Sequence, residues 1–155
     1  MDFEPGGQLI AANEACRRAS PRQRVFQAAV LAEHADSAPL DCLIRDIAQH
    51  GAQLRLNPGQ RAPETAYLVN LMSRMAYPAN RIWQRGNRAG VSFKGGGRIS
   101  ADLPSDLAFL EAIFVMGKLR QIESLSAQGV ELSAALRTCA VSRATYRRWL
   151  ETFVF

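Results

Sequence analysis

Short segments in which apolar and polar residues alternate occupy the first part of the chain, up to Phe93. Alternation with a period of two is typical of strands that bury one face, and Gly, Pro and Asn separate the segments. The pattern predicts about six strands, at residues 24–33, 40–46, 52–56, 65–71, 75–84 and 88–93. Several short strands at this spacing indicate a small antiparallel barrel or sandwich.

After "KGGGR" (residues 94–98) the alternation stops and helical periodicity begins. Three helices are predicted, at residues 106–127 with Ser105 as cap, 132–139, and 143–152 with Ser142 as cap. The fold class is therefore α+β. The glycine triplet marks a boundary, a hinge or a flexible crossing, between a β domain at 1–95 and a helical extension at 99–155.

The composition favours a folded, cytoplasmic protein. The chain has 155 residues, of which 48% are hydrophobic, enough for a packed core. The most apolar stretch, "LAFLEAIFVMG", is too short to span a bilayer, so no membrane association is expected. Three cysteines at unrelated spacings, without a secretory signal, predict reduced thiols.

Candidate catalytic chemistry is missing from the sequence. It contains no Cys/His cluster with metal-ligand spacing, no nucleophile paired with a base and no Walker loop. We therefore expect neither an enzyme nor a bound metal or cofactor, and a binding module becomes the leading interpretation.

Positive charge is concentrated in the first part of the chain. Residues 1–98 account for the whole net charge of +5, and residues 99–155 are balanced. Four arginines (Arg17, Arg18, Arg22 and Arg24) precede or begin the first predicted strand, with no acidic residue among them. Arginine forks match phosphate groups and guanine edges, so the cluster indicates an anion clamp or, alternatively, a solvated basic linker.

Two later motifs accompany the R-x-x-x-R spacing of Arg18 and Arg22. "DIAQHG" places Asp46 and Gly51 at a break between two predicted strands, and "GVSF" ends the last one. A carboxylate can accept hydrogen bonds from a guanine edge, and glycine permits close backbone approach. Each residue also has a structural interpretation, since Asp46 could cap a turn and Gly51 could supply a positive φ.

In this order the three motifs resemble the PilZ domain, a family of bacterial cyclic di-GMP receptors, over about residues 15–95. The resemblance implies a six-stranded antiparallel β-barrel and a site in which Arg18 and Arg22 grip the nucleotide beside Asp46 and Gly51. Arg17, next to Arg18, joins the candidate ligand contacts. Ala48 stands where the family usually has serine, which removes one hydroxyl contact and puts part of the affinity in doubt.

The resemblance leaves two outputs open. One is a receptor or adaptor that relays cyclic di-GMP binding to a protein partner. The other is a ligand-free module of the same type that works only through protein contacts.

The C-terminal segment adds a third hypothesis. "VSRATYRRWL" resembles the second helix of transposase-type helix-turn-helix segments, which implies that Ser142, Arg143, Thr145 and Arg147 face DNA. Alternatively, the aromatic residues of this segment are core and the helices merely pack on the barrel. The helix at 106–127 is apolar on nearly all sides in its first half, so it packs under other helices or forms a homodimer.

Overall fold

The computed structural model describes residues 23–153 of the chain. In this range the barrel strands are β1 (Gln23–Ala32), β2 (Leu40–Ala48), β3 (Gly51–Leu56), β4 (Thr65–Asn70), β5 (Met75–Arg85) and β6 (Arg88–Phe93). A two-residue strand β7 (Gly97–Arg98) follows, then the helices α1 (Phe109–Ala127), α2 (Leu132–Thr138) and α3 (Arg143–Phe153).

Six strands form a closed antiparallel barrel. Their order is β4-β1-β2-β3-β6-β5, and pairing between β4 and β5 closes the cylinder. All six strand predictions are confirmed, with ends that differ by at most two residues. The α+β fold class, a six-stranded barrel followed by three helices, is therefore confirmed.

Successive side chains along each strand point alternately into the barrel and to its outer surface. In β3, for example, Ala52, Leu54 and Leu56 are buried in the barrel cluster, while Gln53 and Arg55 lie on the other face. Tyr77 and Phe93 stack inside the barrel with ring centres 4.6 Å apart. Because side chains fill the barrel interior, we expect a ligand site on the outer surface.

The glycine triplet does not separate strand from helix as abruptly as the sequence suggests. Gly97 pairs with Ala76 and Arg98 pairs with Met75, which adds β7 to the edge of the sheet. The amide of Ile99 then donates to the carbonyl of Arg74 at 3.0 Å, and Ile99 is buried in the cluster beneath the helices. Hydrogen bonds thus tie the connection between barrel and helices to the start of β5.

The predicted start of the first helix is wrong by three residues. Residues 105–108 form turns, in which the Leu107 amide donates to the Pro104 carbonyl and the Ala108 amide to the Ser105 carbonyl. Ala108 is the N-cap of α1 and no side chain caps it, so Ser105 does not have the predicted role. Its end at Ala127 agrees with the prediction, and Gly129 follows with φ +92°.

Helix α1 covers the outer face of β1 and β4, and α2 and α3 pack against α1. A second hydrophobic cluster there joins Val30, Val69 and Leu71 of the barrel side to Leu110 and Phe114 of α1. Tyr67 meets Phe109 edge to face, with ring centres 6.1 Å apart. The apolar first half of α1 is therefore buried within the same chain, which removes the need for a second copy to cover it.

The Cys42 thiol provides a pH-dependent test of the barrel packing. Burial, and secondarily the Asp41 carboxylate, raise the pKa of Cys42 to about 12. Because its pKa is raised in the folded state, this thiol ionises more readily in the unfolded chain. The free energy of unfolding is therefore unaffected below the ordinary pKa near 9 and falls as the pH rises above that value. Between pH 8 and pH 10 we expect the free energy of unfolding to fall by about 1 kcal/mol less in Cys42→Ala than in the parent. Urea unfolding at both pH values measures this, and parallel pH profiles for parent and variant would contradict it.

Candidate functional site

The sequence-predicted ligand residues divide into two groups. Arg17, Arg18 and Arg22 lie outside the described residues, whereas Asp46, Ala48 and Gly51 are in the barrel. The described chain begins with β1, in which Arg24 lies directly opposite Asp46 of β2. The first arginine of the described chain is thus the register partner of Asp46, the acidic residue of the second motif.

A β-bulge turns the Asp46 side chain outward. In a regular strand Asp46 would share the inner face with Ile44, which is fully buried. The register shifts between these two residues, so that Ile47 instead joins the barrel cluster and Asp46 lies on the outer face, half-buried. Bulges commonly re-aim side chains in this way next to functional sites.

Gly51 has a structural role that needs no ligand. Ala48 and Gly51 pair across the two-residue turn between β2 and β3, and the amide of Phe93 donates to the carbonyl of His50 at 2.9 Å. A Cβ on Gly51 would lie 2.8 Å from the carbonyl oxygen of Val91, closer than real Cβ contacts allow. Close approach between β3 and β6 therefore requires glycine here, so its place in the motif is explained by packing alone.

Asp46 belongs to a row of outward residues that crosses four strands. The register pairs Asp46 with Gln53 of β3, Gln53 with Gly90 of β6, and Gly90 with Trp83 of β5. Neighbouring strands are about 4.8 Å apart, so the row is a continuous strip of the outer surface. The motif residues Asp46 and Gly90, which the sequence separates by more than forty positions, thus lie in one line.

The Trp83 indole lies against Gly90. A Cβ on that glycine would be only 2.2 Å from the indole Nε1, so the ring occupies the space left by the missing side chain. Trp83 is 37% exposed. From strand alternation Trp83 is expected in the core or at the barrel rim, but a second bulge, between Arg81 and Trp83, moves it to the outer face.

A row of three arginines runs beside this strip. Arg55 of β3 pairs with Arg88 of β6, and Arg88 pairs with Arg85 of β5. All three side chains are exposed, and no ion pair joins any of them to another described residue. Like charges directly opposite one another destabilise a sheet, and the row concentrates positive charge on this part of the surface. The row is not evident from the sequence, because Arg55 joins Arg85 and Arg88 only through the strand register.

The candidate DNA-contacting residues are grouped around the start of α3. The Ser142 hydroxyl accepts a hydrogen bond from the Thr145 amide at 3.1 Å, which confirms Ser142 as the cap of this helix. Arg143 donates to the Ser133 hydroxyl of α2 at 2.7 Å, and Arg147 is exposed. One residue thus fastens α3 to α2 while another is open to solvent, and DNA binding stays a prediction.

Comparison with known proteins finds no match for this chain, either among protein-family models or among curated proteins. Within residues 23–153 no helix is both long enough and apolar enough to cross a membrane. In the same range no group of three His, Cys, Asp or Glu side chains could hold a metal ion.

Proposed function

We propose that the protein is a cyclic di-GMP receptor of the PilZ type that relays nucleotide binding to a protein partner. The observation that supports this most strongly is the outward strip that runs in register from Arg24 through Asp46 and Gln53 and, across Gly90, to Trp83. The resemblance of the motifs to the family and the composition of this surface lead to the same class of ligand.

The strip offers each kind of contact that a guanine nucleotide needs. The Asp46 carboxylate accepts hydrogen bonds from the donor edge of guanine, and the Gln53 amide can both donate and accept. The exposed Trp83 ring provides a face on which a base stacks, worth about 1–3 kcal/mol per base. Arginines bind phosphates through charge-assisted hydrogen bonds. We assign this role to Arg18 and Arg22, and Arg55 and Arg88 lie beside the strip.

Strand β1 connects the proposed site to the helices. Near its start Arg24 lies opposite Asp46, and the strand continues to Val30, which packs in the cluster beneath α1. In the mechanism that we favour, a dianionic ligand neutralises the arginine segment and holds it across the barrel. In that position the segment changes the surface available to a protein partner near the start of β1 or at the helices.

Calorimetry with cyclic di-GMP on the full chain tests this function. We expect saturable binding that Arg22→Ala weakens at least tenfold, because a charge-assisted hydrogen bond contributes about 1.5–3 kcal/mol. Asp46→Asn and Trp83→Ala should each weaken binding as well. Arg137→Ala, which removes an exposed arginine from α2, is the matched control and should leave the affinity unchanged.

Two outcomes would count against this proposal. If Arg18→Ala and Arg22→Ala both bind like the parent, the nucleotide occupies another site. If the parent shows no binding, the ligand-free adaptor becomes the better interpretation.

Restoring the family serine is a separate prediction. Ala48 is buried, with 9% of its surface exposed, and shares the outer face with Asp46. We expect Ala48→Ser to tighten cyclic di-GMP binding about two- to tenfold, since a net hydrogen bond contributes about 0.5–1.5 kcal/mol. Calorimetry measures the change, with Ala48→Val as the control that adds volume without a hydroxyl. Unchanged or weaker binding by the serine variant would contradict a favourable hydroxyl contact at residue 48.

A further inference from the structure

A polar cavity of about 340 Å³ lies between the barrel and the helices, away from the Asp46–Trp83 strip. Its walls come from the turn after β4, from β7, from α1 and from the start of α3. Three cationic side chains line it, those of Arg74, Arg98 and Lys118, together with the hydroxyls of Ser142 and Thr145. None of the described residues that line it is acidic.

Lys118 is the most unusual member of this lining. Its side chain belongs to α1 and only 4% of the residue's surface is exposed. The ammonium donates one hydrogen bond, to the carbonyl of Cys139 at the end of α2, and it lies 5.7 Å from the centre of the Phe114 ring. An ammonium has three donors, and no carboxylate of the described chain pairs with this one. A buried charge without an ionic partner is costly, which favours an external anion here.

Arg74 brings a second positive charge to the same ring. Its guanidinium carbon lies 4.8 Å from the Phe114 ring centre, and its Nε donates to the carbonyl of Ile99 at 2.9 Å. Within the described part of the chain the two terminal nitrogens make no hydrogen bond. Burial, with a contribution from the Arg74 charge, lowers the pKa of Lys118. A bound anion would reverse both effects, because it supplies the opposite charge that the cavity lacks.

The start of α3 adds to the positive potential. Ser142 caps this eleven-residue helix, and the N-terminal end of a helix carries a partial positive charge. The Thr145 hydroxyl lies 2.9 Å from the Ser142 hydroxyl, so two polar groups adjoin the cations at the cavity wall. The cavity thus combines three cations, hydroxyl groups and a helix N-terminus.

We propose that this cavity binds the phosphate group of a small molecule, held by Lys118, Arg74 and Arg98. A phosphate dianion suits a site with three cations and no compensating carboxylate better than a monoanion does. The bound group would link α1, α3 and the barrel, since each contributes part of the wall. This site is separate from the proposed cyclic di-GMP surface, and its test uses no cyclic di-GMP.

Fluorescence titration with inorganic phosphate, at ionic strength held constant with sodium chloride, tests the proposal. Trp149 lines the cavity and reports on it, and a Trp83→Phe background removes the other of the two tryptophans. We expect a saturable change in the full chain, with a dissociation constant that rises at least tenfold in Lys118→Met and in Arg98→Gln. Arg98 is exposed, so its variant keeps the test valid if Lys118→Met does not fold. Arg137→Gln, an exposed arginine outside the cavity, is the matched control and should bind like the parent.

Further titrations with glycerol phosphate and acetate separate the sources and classes of anion. Tighter binding of glycerol phosphate than of inorganic phosphate would support a phosphorylated metabolite as the ligand, and the reverse order would support the free ion. A response to acetate without one to phosphate would overturn the assignment. So would the absence of a saturable response, or equal phosphate binding by the parent and both cavity variants.

Discussion

Replacing Trp149 with alanine is expected to lower the free energy of unfolding by about 3–5 kcal/mol. The side chain is only 6% exposed and meets Phe114 edge to face, with ring centres 6.3 Å apart and an angle of 89° between the planes. Truncation would remove this aromatic contact and leave a cavity between α3 and α1, which the fixed helices could fill only in part. Urea unfolding followed by circular dichroism measures the loss.

Leu150 is the matched control for Trp149. It is the next residue of α3 and is 38% exposed, so Leu150→Ala should cost less than about 1 kcal/mol. Equal costs for the two variants would mean that α3 does not pack through Trp149. The expected difference also concerns the DNA hypothesis. Trp149 and Arg143 fasten α3 to the other helices, so α3 has a structural role whether or not Arg147 contacts DNA.

The strand pattern of the barrel could be predicted from the sequence because each strand buries one face. In β6, Ala89, Val91 and Phe93 are buried and alternate with Arg88, Gly90 and Ser92, which leaves little freedom in the register. Helix ends depend on weaker local preferences. Ser105 is a good capping residue, yet the turns at 105–108 take its place and α1 begins at Phe109.

The candidate site was harder to predict, since its geometry depends on bulges. Asp46 was recognised from its motif, but strict alternation would place it with Ile44 inside the barrel. Strand alternation alone places Trp83 in the core or at the rim. The extra residue before Trp83 turns its side chain outward, against Gly90. One inserted residue in a strand reverses the direction of every later side chain, and no short sequence motif marks the position of such a bulge.

The arginine row was missed for a different reason. Arg55, Arg85 and Arg88 are far apart or separated by a turn in the sequence, and they become neighbours only when β3, β6 and β5 pair. Likewise, Lys118 looks like an ordinary charge on a predicted helix, and only packing of α1 against α2 buries it. Composition indicated a basic, arginine-rich surface, but tertiary pairing decides where the charge is concentrated.

Gly117→Leu is expected to produce the second large effect, by pushing α1 away from the barrel. A Cβ at Gly117 would lie 2.9 Å and 3.0 Å from the Leu71 methyl carbons and 3.4 Å from a Val30 methyl carbon. A leucine adds three more carbons to this contact, and overpacking of that kind typically costs about 1–3 kcal/mol. Better helix propensity than glycine would return about 1 kcal/mol at most. Differential scanning calorimetry should therefore show a lower melting temperature for the variant.

Gly117→Ala separates the packing effect from the helix propensity. Its single methyl group is crowded by the end of the Leu71 side chain, which can shift, and touches the Val30 methyl carbon at an ordinary contact distance. Alanine favours the helix by about 1 kcal/mol over glycine, so this variant should be near neutral. Equal stability of the leucine variant and the parent would show that α1 is not docked on β1 and β4 through Gly117. Calorimetric titration of both variants with cyclic di-GMP then tests the connection through β1. If nucleotide binding and helix docking are coupled, the leucine variant should bind with altered affinity although Asp46 and Trp83 themselves are unchanged.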